Sequence, residues 1–207
     1  MNSAKVAVAA LPAGEAGEAV RLLAAAFADN PLNRAVIRRP TTRARERSNA
    51  WGLAAELPLA LRHGTVLAGR RGSALAGVLV AAAPWGHPFP APSLARRVVT
   101  AALQGFGAAE RWGEAYETLL TRRPGAPHWY LSLLGVRPDA RGLGVGGALL
   151  GAWLAHVDAA GGAAWLETDE PRTLSFYRKA GFTVTGELEL FSVPIWLLGR
   201  APRARAR

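Results

Sequence analysis

The run Arg141-Gly142-Leu143-Gly144-Val145-Gly146-Gly147 has the residue types best suited to binding a phosphorylated ligand. Closely spaced glycines expose backbone N–H groups and let an anion approach the main chain. A helix expected to start near Gly147 would add unpaired N–H donors and a partial positive charge at its first turn. Arg141 adds a full charge at the mouth, so a pyrophosphate suits this turn. Gly142, Gly144 and Gly147 also match G-x-G-x-x-G, the dinucleotide fingerprint, and Glu167 lies about twenty residues on, where a ribose-binding acid belongs. Three features oppose that second reading. The segment Arg137-Pro138-Asp139-Ala140-Arg141 separates the glycines from the preceding strand. The unit lies too near the end of the chain for the strand–helix units a dinucleotide fold still requires. Glu167 is followed at once by a short helix and an antiparallel-looking strand pair.

The elements that must position this turn can be read from periodicity. Before it, Trp129 to Val136 is an apolar strand. After it, Ala148 to Ala160 is a helix with Leu149, Leu150, Trp153, Leu154 and Val157 on one stripe. Ala163 to Thr168 is the next strand, and Pro171 to Ala180 a short helix with Pro at its first position and Gly181 past its end. Phe182 to Leu190 and Ser192 to Leu198 read as closing strands. Upstream, Lys5 to Leu11 suits a strand, Glu15 to Asp29 an amphipathic helix, and Arg43 to Arg62 a second helix. Thr65 to Ala68 and Ala74 to Ala83 read as strands around a turn at Arg70-Arg71-Gly72. A Pro-rich loop from Pro84 to Pro92 precedes a helical stretch, Leu94 to Leu120, interrupted near Gly105 and Gly107. This order predicts an α/β (α+β) domain over residues 1–199, with a parallel strand–helix–strand unit in its second half. Residues 200–207 are expected to form a basic, disordered tail carrying Arg200, Arg203, Arg205 and Arg207.

Composition narrows the chemistry. The chain has no cysteine, which excludes a disulfide scaffold, a thiolate metal site and a Cys nucleophile, and fits a reducing cytoplasm. No His, Asp or Glu cluster has metal-ligand spacing. No stretch approaches the roughly 20 apolar residues that span a bilayer. The net charge of +10 is almost all arginine, only Lys5 and Lys179 being lysine, within an Ala-, Gly- and Pro-rich composition. Compositional drift accounts for it better than nucleic-acid binding does.

Two motifs together carry a resemblance. Leu134-Gly135-Val136-Arg137-Pro138-Asp139-Ala140-Arg141-Gly142-Leu143-Gly144-Val145-Gly146 resembles the acyl-CoA motif of the GNAT N-acetyltransferase superfamily: a Val ending a strand, Pro two later, then Arg-x-x-Gly-x-Gly. Leu166-Glu167-Thr168, Pro171-Arg172 and Phe176-Tyr177-Arg178-Lys179-Ala180-Gly181-Phe182 resemble the strand and Tyr-bearing helix that follow it. Arg21-Leu22-Leu23-Ala24-Ala25-Ala26-Phe27-Ala28-Asp29-Asn30-Pro31 and the Leu166 to Arg172 segment are similar to the puromycin N-acetyltransferase branch. Two departures stand out: Thr173 replaces a frequent Asn, and Gly142-Leu143 lacks the usual second basic residue. Residues 40–123 carry no resemblance.

The resemblance implies a GNAT fold, a central, mostly antiparallel sheet splayed at the cofactor site and flanked by helices. It further implies transfer of an acetyl group from acetyl-CoA to a primary amine of a small molecule, an antibiotic or aminonucleoside among the options, by direct attack and without a metal. Leu134, Gly135 and Val136 would meet the pantetheine through their backbone, Val136 N–H polarising the thioester carbonyl. Arg141 through Gly147, with Thr173, would complete the cofactor contacts. The Tyr177 hydroxyl would protonate the leaving thiolate. Glu167 is the best-placed base; Asp169, Glu170 and His128 are further candidates, the first two better explained as charge at a helix N-terminus. Asp29 and Asn30 end the first helix, where this family builds part of its acceptor pocket. Trp85, His87, Phe89, Trp112, Tyr116 and Trp129 are candidates for an aromatic wall, with Trp129 the acceptor contact singled out. No nucleic-acid or membrane partner is expected, and a homodimer stays open. The competing functions are an NAD(P)-dependent oxidoreductase and a non-catalytic acyl-CoA-binding regulatory module.

Overall fold

A computed structural model describes residues 5–203. The first strand, β1, spans Val6–Ala10. Helix α1, Ala16–Phe27, buries Ala19, Leu22, Leu23 and Ala26, the face read from their spacing. Asn30-Pro31 ends it but also opens an unforeseen helix, α2 (Pro31–Val36), because the proline ring presets φ for a first helical position. Helix α3, Thr42–His63, starts on Thr41, whose side chain accepts from Ala44 N–H.

Strands β2 (Thr65–Arg71) and β3 (Ala74–Ala82) form a hairpin. Its turn lies later than expected, since Arg70 and Arg71 still pair with Leu75 and Ala74, and the reversal falls at Gly72 with φ 61°. The long helical stretch divides into α4 (Leu94–Gln104) and α5 (Phe106–Thr121) at Gly105, whose φ of 103° no helix accommodates.

The second half follows the predicted order: β4 (Trp129–Val136), α6 (Val145–Ala159), β5 (Ala164–Thr168), α7 (Leu174–Lys179), β6 (Thr183–Leu190) and β7 (Val193–Arg200). The seven strands form one sheet in the order β1-β2-β3-β4-β5-β7-β6. Only β4 and β5 run parallel, joined through α6 as a strand–helix–strand unit. The expected mixed, mostly antiparallel sheet flanked by helices is therefore present.

Each face of the sheet has its own core. On one face α6 and α7 pack over the centre, burying Leu131, Leu149, Trp153, Leu166, Phe182 and Leu198. On the other, α1 and α3 cover β2 and β3 through Leu23, Leu53, Leu57, Val66, Val78 and Val80. Helices α2 and α5 cover β7 through Val36, Ile37, Ala115 and Ile195. Two glycines set these distances. A Cβ on Gly77 would meet the Val145 side chain at 2.7 Å, and one on Gly135 would meet Leu23 at 2.6 Å.

The chain end differs from the expected tail. Arg200 is the last residue of β7, buried, and its guanidinium spans the Asp158 carboxylate at 2.7 and 2.9 Å. Its Nε donates to the carbonyl of Ala180 at 3.1 Å, so one side chain ties the end of the sheet to the ends of α6 and α7. A bidentate partner offsets the cost of burying that charge. Residues 204–207, the second half of the expected tail, lie outside the described residues.

Candidate functional site

The sheet opens where the parallel pair begins. Strand β4 meets β5 only at Trp129↔Ala164 and Tyr130↔Trp165, then continues to Val136 paired with β3 alone. A bulge at Ser132 helps bend it away, since Leu133 faces Val80 while Leu131 faces Ala81. Arg137 N–H donates to Ala76 O on the β3 side at 2.9 Å. Backbone groups alternate along a strand, so the N–H groups of Val136 and Leu134 point the other way, into the split. A strand edge with free donors, inside the sheet, is a place for an extended ligand that carries amides.

The glycine turn stands at the mouth of this split. Gly142 and Gly144 adopt φ of 75° and 82°, and Gly144 caps α6. The helix starts at Val145, three residues before the expected Ala148, because Gly146 and Gly147 take helical geometry rather than continuing the turn. That start leaves the N–H groups of Val145, Gly146 and Gly147 without intrahelical partners. A Cβ at Gly147 would meet open space, and one at Gly146 would lie 3.5 Å from Val136 Cγ2. The Val145 side chain is core, packed under the sheet, so only its backbone faces the turn. Leu143 is exposed. Arg141 donates to the Ala26 carbonyl at the end of α1 at 2.8 Å, which anchors the turn as well as charging it.

Beside the split, Glu167 is nearly enclosed. Its carboxylate accepts from Tyr130 O–H at 2.8 Å, Trp165 Nε1 at 3.2 Å and Arg123 Nε at 3.4 Å. Burial raises its pKa above the usual carboxylate range, and Arg123 and these donors oppose that rise. The Arg123 guanidinium also stacks over the Tyr130 ring at 3.6 Å and donates to His87 Nδ1. Burial, aided by Arg123, pushes the His87 pKa down to about 3, so the ring stays neutral. His87 packs on Tyr130, Phe89 and Tyr116 with ring centroids 4.6, 5.1 and 5.9 Å apart. Desolvation and Glu167 together hold the Tyr130 phenol well above its ordinary pKa.

Tyr177 sits on α7 against Phe176 and Phe182. Its hydroxyl makes no hydrogen bond among the described residues, and burial, with Asp169 adding, pushes its pKa up. It is a protonated phenol with an uncommitted donor.

Several expected residues have other duties. Trp129 faces α6, 4.9 Å from the His156 ring and tight against Gly162, on the sheet face opposite Glu167. Adjacent strand residues point to opposite faces, so Tyr130, and not Trp129, reaches the site. Asp29 binds Arg45 and the Thr42 hydroxyl, fixing the start of α3. Asn30 reaches only Asp169, at 3.4 Å, and Asp169 accepts from Leu32 N–H at 2.7 Å, capping α2. Thr173 donates to Glu170 O at 2.7 Å and accepts from Thr168 at 2.9 Å, which braces the turn after β5. Gly135 is glycine because a side chain there would strike Leu23 of α1.

Of the candidate aromatic wall, His87, Phe89 and Tyr116 converge, whereas Trp85 is exposed and Trp112 packs beneath α2. His128 is half-buried, bonds Ala126 O and lies with its ring 6.3 Å from that of Trp165. Sequence reasoning missed Arg123 and Tyr130. The parity shared by Tyr130, Trp165 and Glu167 across a parallel pair was the available signal for Tyr130. Nothing local marks Arg123.

A family model described as an acetyltransferase (GNAT) domain matches residues 95–184. Among solved structures, the chain is similar to a histone acetyltransferase HPA2 and related acetyltransferase from Corynebacterium glutamicum ATCC 13032, with 21% identity over 98% of this chain and 99% of that one, TM-score 0.75. Arylalkylamine N-acetyltransferase 2 from Aedes aegypti aligns over 95% of this chain and 99% of its own at 14% identity, TM-score 0.66. An agmatine N-acetyltransferase aligns over 94% and 100% at 17% identity, TM-score 0.60. At these identities the likeness is one of fold, and the fold is that of GNAT acetyltransferases. The domain match supports an acyltransferase enzyme. No helix among the described residues is long and apolar enough to cross a membrane.

Proposed function

We propose that this protein is an N-acetyltransferase that moves an acetyl group from acetyl-CoA to a primary amine of a small molecule by direct attack. The observation that carries the reading is the split between β4 and β5. It leaves the N–H groups of Leu134 and Val136 facing a gap beside the N-terminus of α6. A pantetheine has amides for such an edge, and a pyrophosphate suits the free N–H groups of Val145, Gly146 and Gly147. The Val136 N–H is the donor for the thioester carbonyl. The groove between α6 and α7, about 420 Å³ and lined by Gly147, Leu154, Phe176 and Lys179, gives the rest of the cofactor somewhere to lie.

Glu167 takes the proton that the amine gives up as its nitrogen bonds the acyl carbon. A carboxyl held above its usual pKa by burial is a better base than an exposed one. As the C–S bond breaks, Tyr177 supplies a proton to the departing sulfur, its hydroxyl being uncommitted. Asp29, Asn30, Thr173 and Asp169 act by holding α2, α3 and the turn after β5 in place. The acceptor enters on the face that carries His87, Tyr116 and Tyr130. At finer grain, the motif at Arg21 to Pro31 keeps the puromycin N-acetyltransferase branch as the preferred kinship.

The test combines calorimetry with thiol release. CoA binding without NAD or NADP binding, and release of thiol from acetyl-CoA with at least one member of an amine panel, are expected. Tight NADP binding with no response to CoA would overturn the reading. CoA binding with no turnover on any amine would make the protein an acyl-CoA-binding module instead.

A further inference from the structure

A second carboxylate, Glu56, lies near Tyr116 of the aromatic cluster that adjoins Glu167. Glu56 lies on the α3 face that also carries Asn49, Leu53 and Ala60, all buried, so it sits on the side of the helix turned toward the sheet. That face leads directly to the aromatic cluster. Phe89 packs with Leu57 in the core beneath α3 and stacks on His87, which in turn touches Tyr116 and Tyr130. The Glu56 carboxylate is close enough to Tyr116 to act on its hydroxyl electrostatically. Its side chain is open to solvent, yet enough protein surrounds it that desolvation raises its carboxyl.

The charges around this aromatic cluster do not balance. Glu167 is matched by Arg123. His87 is neutral, and the tyrosines are protonated. Glu56 has neither an ion pair nor a hydrogen-bond donor among the described residues. One negative charge is therefore left over on a wall lined by rings. The amine that attacks the thioester must be neutral when it reacts, so that amine cannot supply the missing positive charge.

Resting on the acetyltransferase reading above, we propose that Glu56 anchors a second cationic group on the acceptor. The substrate class is then a diamine-like compound whose flat or apolar spacer lies against Tyr116, His87 and Phe89. Glu56 is a specificity-determining residue, and Glu167 acts at the other end of the same molecule.

Two acceptors of one shape separate the possibilities: 4-(aminomethyl)benzylamine and 4-methylbenzylamine, which differ by one ammonium. With the wild-type protein and acetyl-CoA, kcat/KM for the diamine should exceed that for the monoamine by on the order of tenfold or more. The excess should shrink as ionic strength rises. In Glu56→Gln the ratio should fall to near one, chiefly through KM for the diamine. Because Glu56 is open to solvent and unpaired, this substitution strands no buried partner, and the melting temperature reports that the fold is kept. The wild-type comparison stands even without the variant. Equal use of both amines by the wild type would overturn the proposal while leaving acetyl transfer intact, as would a Glu56→Gln protein that keeps the full preference. No thiol release with any amine removes the underlying reading and this inference with it.

Discussion

Replacing Glu167 with Gln separates the two roles the structure gives it. The side chains of Glu167 and Arg123 are each 7% exposed, so the substitution removes one partner of a buried ion pair. Such a loss typically costs about 3–5 kcal/mol, because an uncompensated charge stays behind. Here Arg123 keeps His87 and the Tyr130 ring, and the pair it loses is long, at 3.4 Å. The lower end of the range, about 3 kcal/mol, is therefore expected, which for a domain of this size lowers Tm by roughly 6–12 °C. The chemical loss is separate. Without a base, kcat near pH 7 should fall by about 10²–10⁴-fold. That deficit should narrow as pH rises toward about 10, where an alkylamine acceptor is increasingly neutral by itself. Wild type should lose activity on the acid side as Glu167 takes a proton, with a midpoint above the ordinary carboxylate value. Tyr130→Phe deletes a donor that lowers this pKa, so the acid limb should move to higher pH. The assay is a pH–rate profile by thiol release at saturating acetyl-CoA, with melting curves for each variant. A folded Glu167→Gln protein with wild-type kcat at pH 7, or a deficit that stays constant to pH 10, would refute the base assignment and leave Glu167 a buried structural acid.

Three further outcomes are expected. Gly147→Glu should hold or slightly raise Tm, since a Cβ there meets open space and a carboxylate in the first turn of a helix stabilises it by about 0.3–1 kcal/mol; it should abolish CoA binding by calorimetry, and retained affinity would exclude the α6 N-terminus as the phosphate cradle. Tyr177→Phe removes a hydroxyl with no partner among the described residues, so Tm should change little while kcat drops about 10²–10⁴-fold with acetyl-CoA KM unchanged; full kcat would make Tyr177 a packing aromatic only. His87 binds its proton in the fold only near pH 3, against an ordinary 6.5, so the unfolded chain takes up a proton first as pH falls. Stability must then drop with falling pH across that window, by about 2–4 kcal/mol at pH 3.5 once partial exposure is discounted. His87→Asn keeps an acceptor for Arg123 and cannot titrate, so between pH 7 and pH 4 wild type should lose more Tm than the variant; parallel curves would show that His87 titrates normally.

The sequence by itself determined what depends on neighbours along the chain. Apolar runs and glycine punctuation placed β4 at Trp129 to Val136, separated α4 from α5 near Gly105, and gave the parallel unit through α6. Left-handed glycines at Gly142 and Gly144 and the proline-led turn at Pro171 are local backbone chemistry, and they appear where the residue types put them. Boundaries moved where a side chain found a distant partner. Val145 starts α6 early because its side chain fits over Gly69 and Gly77, and Arg200 extends β7 because Asp158 waits for it.

Which residues meet at the site was decided only in three dimensions. Strand β4 is apolar without alternation, so nothing in its sequence tells which face Trp129 or Tyr130 takes; pairing with β5 sets that phase, and one residue of shift exchanges the faces. The chain brings His87, Arg123 and Glu167 together from a loop, the segment after α5 and β5, and sets Glu56 of α3 near Tyr116 of the same cluster, through contacts with no sequence period. Charge follows the same division. A total of +10 is a property of composition, whereas Glu56 is left without a partner beside these rings only because folding paired Glu167 with Arg123 and desolvated His87.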